Sequence, residues 1–158
     1  MKYNIIKGES KHIDALANLW LELMKVHSEI DKNYFSNSAN NLHQYKNMLK
    51  EEISNPNFKL FVAETDSNKI IGFILAGISR GYSLYNSNLF CIIHDIFVIN
   101  EYQSIGIGKS LINSVIDWSK SQKINKLEVS IFAKNKKSVE FYKRIGFEDL
   151  WVIKDLNI

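Results

Sequence analysis

The stretch that decides the fold covers residues 94–110 and reads HDIFVINEYQSIGIGKS. Its first part continues an apolar, β-branched run from Leu89, which is typical of a strand buried on both faces. Gly106 and Gly108 follow in a short turn, and a helix is expected over residues 109–121. A strand, a glycine-bearing turn and a helix therefore succeed one another here.

The rest of the chain extends this pattern in both directions. Asp66, Ser67 and Asn68 separate two apolar runs, which predicts an antiparallel hairpin, whereas strands alternate with helices in the second half and favour parallel pairing. Ser10 and Asn135 stand at helix N-cap positions. Strands are predicted over residues 2–7, 58–65, 69–79, 89–99, 126–131 and 150–155, and helices over 11–29, 42–53, 109–121 and 136–145. The sequence thus predicts an α/β fold with a mixed sheet.

Composition bounds the class of protein. The chain has 158 residues, 46% of them hydrophobic and 12% aromatic, which excludes a disordered chain and predicts a single domain over residues 1–158. Cys91 is alone and no Cys/His cluster has ligand spacing, so we expect no disulfide, no metal and a cytoplasmic location. No apolar run approaches the roughly 20 residues that cross a bilayer, so we expect no membrane partner.

The net charge of +3 weakly favours an anionic partner. Nucleic acid is not expected, because its binding calls for a larger basic excess with interleaved aromatic residues on one face. The turn over residues 103–108 is a better anion site, since the first N–H groups of a helix lack partners and carry partial positive charge. Lys109 adds a charge there, and Lys134, Lys136 and Lys137 either line the same ligand or are simply exposed. In the alternative interpretation, the glycines only form a tight turn.

Two phosphate-binding patterns compete for this turn. Gly108, Lys109 and Ser110 match the end of the P-loop of nucleotide hydrolases, but Gln103 stands where that pattern requires glycine. The pattern Gln-x-x-Gly-x-Gly, by contrast, is complete with Gln103, Gly106 and Gly108. Here the chain resembles the GNAT superfamily of N-acetyltransferases, in which this loop binds the pyrophosphate of acetyl-CoA.

A second block strengthens the resemblance. Residues 131–135 read IFAKN and residues 140–147 read EFYKRIGF, similar to the Asn…Phe-Tyr-x-x-x-Gly-Phe block that follows the loop in this superfamily. The resemblance implies three layers, with helices on both faces of a mixed six- to seven-stranded sheet whose central strands splay apart.

The resemblance also implies a set of acetyl-CoA contacts. Phe97 and Val98 would bind the pantetheine arm as if it were an added strand, and the Val98 N–H would stabilise the oxyanion of a tetrahedral intermediate. Asn135 either caps its helix alone or caps it and also contacts the CoA arm. The full set is Phe97, Val98, Gln103, Ser104, Ile105, Gly106, Ile107, Gly108, Lys109, Ser110, Asn135 and Tyr142.

Two residues are candidates for the proton transfers of an acetyl transfer. Tyr142 is the implied acid for the departing thiolate, the alternative being an ordinary packed aromatic residue. Asp95 is the best-placed base and would act directly or through a water molecule. In the alternative interpretation, Asp95 has a surface or structural role and a chain of water molecules removes the amine proton. Strand alternation is expected to place His94 and Asp95 on opposite faces of the sheet.

The acceptor pocket is expected between the loops over residues 31–41 and 80–88. Its candidate residues are Glu29, Asp31, Tyr34, Tyr82 and Asp95. The carboxylates of Glu29, Asp31 and Asp95 would attract a cationic amine. Residues 102–108 and 141–150 are similar to the diamine acetyltransferase branch, which makes a polyamine or other small primary amine the first expectation.

Other functions stay open. Aminoglycosides, amino acids and the N-termini or lysines of proteins are alternative acceptors, because acceptor choice depends on loops that vary freely. Two functions other than N-acetyl transfer also stay open. The protein could be a non-catalytic acyl-CoA sensor or, as the least favoured alternative, a nucleotide hydrolase. Homodimers are common in the superfamily, but nothing in the sequence requires one.

Overall fold

The computed structural model describes residues 2–35, 41–81 and 89–156. A short 3-10 turn, Ser10–His12, precedes the first helix, and a second, Asn100–Tyr102, follows the fourth strand. The elements are β1 (Tyr3–Lys7), α1 (Ile13–Ile30), α2 (Leu42–Ser54), β2 (Phe58–Thr65), β3 (Ile70–Arg80), β4 (Leu89–Val98), α3 (Ile107–Ser121), β5 (Leu127–Val129) and α4 (Lys136–Ile145). Ser10 opens the first 3-10 turn, which Glu9 rather than Ser10 caps.

The strands form one mixed sheet in the order β1-β2-β3-β4-β5. The pairs β1/β2, β2/β3 and β3/β4 are antiparallel, and β5 runs parallel to β4. The predicted hairpin and the predicted change to parallel pairing are both confirmed. The α3 crossover between β4 and β5 makes the parallel pair possible.

Helices cover both faces of this sheet. Leu16 of α1 and Leu49 of α2 are fully buried in one core with Phe73 and Leu75 of β3. Alternate residues of β3 point the other way and form a second core with α3 and α4, to which Ile74, Leu111, Ile112 and Tyr142 belong. The three-layer prediction is confirmed, because β3 has apolar residues on both faces.

The predicted strand over residues 150–155 is wrong. These residues pair with no strand in the part of the chain that the structure describes, and Trp151 is 72% exposed and Ile153 95% exposed. The sheet described here has five strands instead of six or seven. A strand needs a partner for its backbone groups, and apolar composition does not supply one.

The central strands separate after a short parallel pairing. Residues Cys91, Ile92 and Ile93 of β4 pair with β5, which ends at Val129, whereas β4 continues to Val98. This confirms the predicted splay and explains why β5 is shorter than the predicted 126–131. Within the described ranges, the last part of β4 therefore has no strand paired to it on the β5 side, and we call this its open edge.

A β-bulge interrupts β4 at the start of this open edge. Leu75 pairs with Asp95 and the next residue, Ala76, pairs with Ile93, so His94 has no partner in the register. Asp95 lies opposite Leu75 on the face of α1 and α2, and the His94 ring stacks on Phe58 of that same face at 5.4 Å. The expectation of opposite faces is wrong, because a bulge adds one residue and breaks the alternation.

Candidate active site

The loop before α3 has the backbone geometry of an anion site. Gly106 is the N-cap of α3 with a φ of 94°, and Ser104 also has a positive φ of 66°. The space around Gly106 is open to 4 Å, so its backbone conformation, and not crowding, favours glycine there. Within the described residues, the N–H groups of Ile107, Gly108 and Lys109 have no backbone acceptor. These N–H groups are available to an anion.

The side chains of this loop divide between core and solvent. Ile107 is buried, so only its N–H can contact a ligand, whereas Ile105 is 54% exposed and Ser104 and Lys109 are exposed. The Ser110 hydroxyl is hydrogen-bonded to the Tyr3 hydroxyl at 3.1 Å. The predicted cofactor contacts of this loop are therefore mainly backbone groups plus the Lys109 charge.

Gln103 ties the loop to the end of β4. Its Nε2 donates to the Val98 carbonyl at 2.7 Å and to Asn100 Oδ1 at 3.0 Å. Lys137 of α4 donates to the Gln103 Oε1 and brings a positive charge to the loop. The sequence shows the lysines near Asn135 but not which one reaches this turn.

Helix α4 is fixed beside the loop by close packing and by a cap. A Cβ added to Gly108 would lie 2.9 Å from the Phe141 Cζ, so α3 and α4 approach closely only because residue 108 is glycine. Asn135 Oδ1 accepts from the Ser138 N–H at 3.1 Å, which confirms the predicted cap. A contact of Asn135 with CoA stays a prediction.

Tyr142 is buried in the layer of α3 and α4. It is 4% exposed, and the rings of Phe141 and Phe147 pack edge-on against it at 5.2 Å each. Burial, with a smaller effect from the charge of Asp95, raises the pKa of Tyr142 above its ordinary value. The phenol is thus protonated at neutral pH, and its hydroxyl has no hydrogen-bond partner among the residues described.

Asp95 faces the other helix layer, where Tyr45 of α2 holds it. The Tyr45 hydroxyl donates to Asp95 Oδ2 at 3.0 Å, and the Tyr45 ring stacks on Trp20 of α1 at 4.4 Å. Burial raises the pKa of Asp95, and the Tyr45 hydrogen bond lowers it in part. Asp95 and Tyr142 come from opposite faces and interact electrostatically where β4 and β5 separate. The two residues predicted for proton transfer are thus near enough to interact through charge, and no contact joins them among the residues described.

Glu52 is a further acid beside this pair. Burial, with a smaller effect of the Asp95 charge, raises the pKa of Glu52 to about 7, and its Oε2 is buried without a hydrogen-bond partner among the described residues. Sequence reasoning missed Tyr45 and Glu52. The signal was present, because Tyr45, Leu49 and Glu52 follow helical spacing and so share one face of α2.

The predicted acceptor residues lie in a different arrangement. Asp31 accepts from the N–H groups of Asn33 and Tyr34 at 3.1 and 3.2 Å and forms an ion pair with Lys134, which lowers its pKa. Tyr34 is 70% exposed and stacks on Phe132 at 5.5 Å.

None of these residues contacts Asp95 in the described ranges. Asp31 and Tyr34 are joined to the segment before α4, and Glu29 is exposed on the last turn of α1. Tyr82 lies outside the described residues. The acceptor roles of all four residues stay predictions.

Two further findings concern ligands and membranes. Across residues 2–35, 41–81 and 89–156, no group of three or more His, Cys, Asp or Glu side chains could hold a metal ion. No helix in the same ranges combines the length and the apolar character needed to span a bilayer. The cytoplasmic location and the homodimer stay predictions.

Comparison with known proteins places the chain in a family. An uncharacterized N-acetyltransferase of Methanocaldococcus jannaschii is 31% identical over 155 residues, which are 96% of this chain and 66% of that protein. A spermine/spermidine N(1)-acetyltransferase of Bacillus subtilis is 28% identical over 80 residues, 50% of this chain and 53% of that protein. The chain thus spans less than two thirds of these relatives.

The fold is also shared with solved structures. The aminoglycoside N-acetyltransferase AAC(6')-Iy, solved in complex with CoA, superposes with a TM-score of 0.78 at 18% identity, covering 99% of this chain and 95% of that one. The model of the Acetyltransferase (GNAT) family matches residues 20–147. This chain therefore belongs to the GNAT acetyltransferase family.

Proposed function

We propose that this protein transfers the acetyl group of acetyl-CoA to a primary amine of a small molecule. One observation carries the proposal: Asp95 lies on the part of β4 beyond its pairing with β5, near enough for its charge to act on Tyr142, and the loop with free N–H groups follows that strand. Acetyl-CoA would supply the activated acetyl thioester. A base and an acid on opposite sides of one opening suit the attack of an amine on that thioester.

The loop residues fit CoA. The free N–H groups of Ile107, Gly108 and Lys109 match its pyrophosphate, and Lys109 and Lys137 add positive charge. The open edge of β4 beyond Ile93 offers backbone groups to an extended pantetheine arm, but the groups of Phe97 itself turn toward β3, because the bond from the Ile99 N–H to the Ile71 carbonyl sets the alternation. The Val98 carbonyl is already bound by Gln103, which leaves the Val98 N–H as the group for the oxyanion.

The pKa shifts of the two catalytic candidates run in the directions that suit the proposed roles. Burial raises the pKa of the Asp95 carboxyl, and a carboxylate with a raised pKa is a stronger base for the amine proton. The Tyr142 phenol keeps its proton at neutral pH and can donate it to the departing thiolate. Both roles are part of the proposal.

Polyamines are the first acceptors to test. The chain resembles the diamine acetyltransferase branch in its motifs, and a spermine/spermidine acetyltransferase is among its relatives. The carboxylates of Asp95 and Glu52 would attract a cationic acceptor. An aminoglycoside is the second candidate, because AAC(6')-Iy shares the fold. Peptides and proteins are a third.

A turnover screen tests this proposal. Release of CoA thiol from acetyl-CoA is measured with polyamines, aminoglycosides, amino acids and peptides as acceptors. We expect turnover with at least one small amine and the acetylated amine as product by mass spectrometry. CoA binding without turnover on the whole panel would favour a sensor. Competition for the site by ATP but not by CoA would favour a nucleotide hydrolase.

A further inference from the structure

Tyr45 of α2 is hydrogen-bonded to the Asp95 carboxylate. Asp95 follows the His94 bulge directly and is paired with Leu75 of β3. The described residues offer its carboxyl one side-chain hydrogen bond, the 3.0 Å bond from Tyr45. The direction of the Asp95 carboxyl is therefore set mainly by α2.

Tyr45 is itself rigidly held. It is 5% exposed, and its ring stacks nearly parallel on Trp20, with centroids 4.4 Å apart and planes at 14°. Leu49, one turn further along α2, is fully buried against the same core. The hydroxyl thus approaches Asp95 from a ring whose rotamer is fixed by packing on α1 and the sheet.

We propose that Tyr45 is a positioning residue that fixes the Asp95 carboxylate for removal of a proton from the acceptor amine. This inference rests on the proposed function. The Tyr45 O–H donates to one carboxylate oxygen, Oδ2, and leaves the other, Oδ1, for the amine or a water molecule. The same bond favours the ionised form of Asp95, which is the form that accepts the proton.

The ionisable neighbours of Asp95 set the expected pH dependence. Tyr45 and Glu52 face it from α2, Tyr142 from α4, and His94 precedes it on β4. Ionised Glu52 disfavours a second negative charge, and the Tyr45 hydrogen bond opposes that effect. Loss of the Tyr45 hydroxyl therefore raises the pKa of Asp95.

The test combines Tyr45→Phe with Asp95→Asn. Tyr45→Phe keeps the stacked ring and removes the hydroxyl. We expect kcat/KM for the best amine to fall about tenfold or more, and the acid limb of its pH profile to move up by about one unit. In the Asp95→Asn background, Tyr45→Phe should lower kcat/KM by less than about twofold, because Tyr45 acts through Asp95.

Two measurements keep the outcome clear. Tyr102→Phe removes a hydroxyl that accepts from Lys69 at 3.5 Å, away from Asp95, and should leave the pH profile unchanged. Carbon-13 NMR of the Asp95 carboxyl, assigned with Asp95→Asn, should show titration at higher pH in Tyr45→Phe than in the unmodified chain. This readout needs no turnover.

The outcomes separate the two proposals. An unchanged NMR titration, or equal losses from Tyr45→Phe with and without Asp95, would overturn the role of Tyr45 alone. Absence of turnover in the unmodified protein with every amine would contradict the proposed function, and the NMR titration would still decide whether Tyr45 controls Asp95.

Discussion

At the scale of single residues, Tyr142 carries the most specific chemical prediction. Its hydroxyl is free of protein partners in the described part of the chain and is protonated at neutral pH. Tyr142→Phe keeps the ring packing on Phe141 and Phe147 and removes only the hydroxyl, which is the proposed acid. We expect kcat to fall about tenfold or more with little change in the KM for acetyl-CoA, as measured by steady-state kinetics.

Thermal unfolding provides the control for this substitution. The melting temperature should stay close to that of the unmodified protein, since the buried ring is retained. An unchanged kcat would show that Tyr142 is a packing residue, which was the alternative interpretation of the sequence.

Glu52 carries a prediction about stability. Its folded-state pKa of about 7 lies above the ordinary value of 4.5, so the folded chain keeps a proton that the unfolded chain releases between these values. Stability therefore falls as the pH rises through this window. Glu52→Gln removes the free-energy cost of ionising residue 52 in the folded chain. It should therefore raise the melting temperature at pH 8 by about 2–4 °C, after discounting for the partial exposure of Glu52.

Glu51 offers a matched control on the same helix. It is exposed, so Glu51→Gln should change the melting temperature little at either pH. For Glu52→Gln, the gain should disappear near pH 4.5, where the glutamic acid is neutral. A gain that is equal at both pH values would contradict the pKa assignment.

At the scale of elements, the loop before α3 and the end of α4 form a natural pair. Gly106 precedes α3 with a φ of 94°, and Gly146 follows α4 with a φ of 107°, each with open space around it. Alanine at either position meets the same left-handed strain, which costs about 1 kcal/mol or more. Both Gly106→Ala and Gly146→Ala should lower the melting temperature by a few degrees.

The two variants should differ in CoA binding. Only Gly106→Ala changes the path of the N–H groups at the start of α3, so it alone should weaken CoA binding about tenfold or more by isothermal titration calorimetry. Equal CoA affinities in the two variants would show that the loop does not bind the cofactor.

At the scale of the whole molecule, part of the positive charge behind the net charge of +3 lies at the loop before α3. Lys109 lies in the first turn of α3 and Lys137 contacts Gln103, so two of the positive charges lie at the loop. Salt screens such exposed charges, with a Debye length of about 10 Å at 0.1 M and 3 Å at 1 M.

We therefore expect CoA binding to depend on salt. The Kd for CoA should rise about tenfold between 50 and 500 mM NaCl. The Kd for pantetheine, which carries no phosphate, should change little with salt. Titration calorimetry over this range checks both ligands. A Kd for CoA that is independent of salt would contradict a phosphate site at the loop.

Local signals in the sequence determined most of the elements. Helices α2 and α4 and the hairpin strands lie within a residue or two of their predicted bounds, because apolar periodicity and turn residues act over short distances. The two glycine motifs fixed the family for the same reason, since a phosphate loop is a continuous stretch of backbone. The prediction of a strand over residues 150–155 failed, because the pairing of one strand with another is not a local property of the sequence.

Only the tertiary structure decided what surrounds Asp95 and Tyr142. The bulge that turns His94 and Asp95 to one face, the Tyr45 bond to Asp95 and the Lys137 contact with Gln103 all join segments distant in sequence. Such contacts depend on how helices pack across a sheet, and packing is set by the whole core at once. The sequence alone therefore named Asp95 and Tyr142, and the fold supplied their geometry.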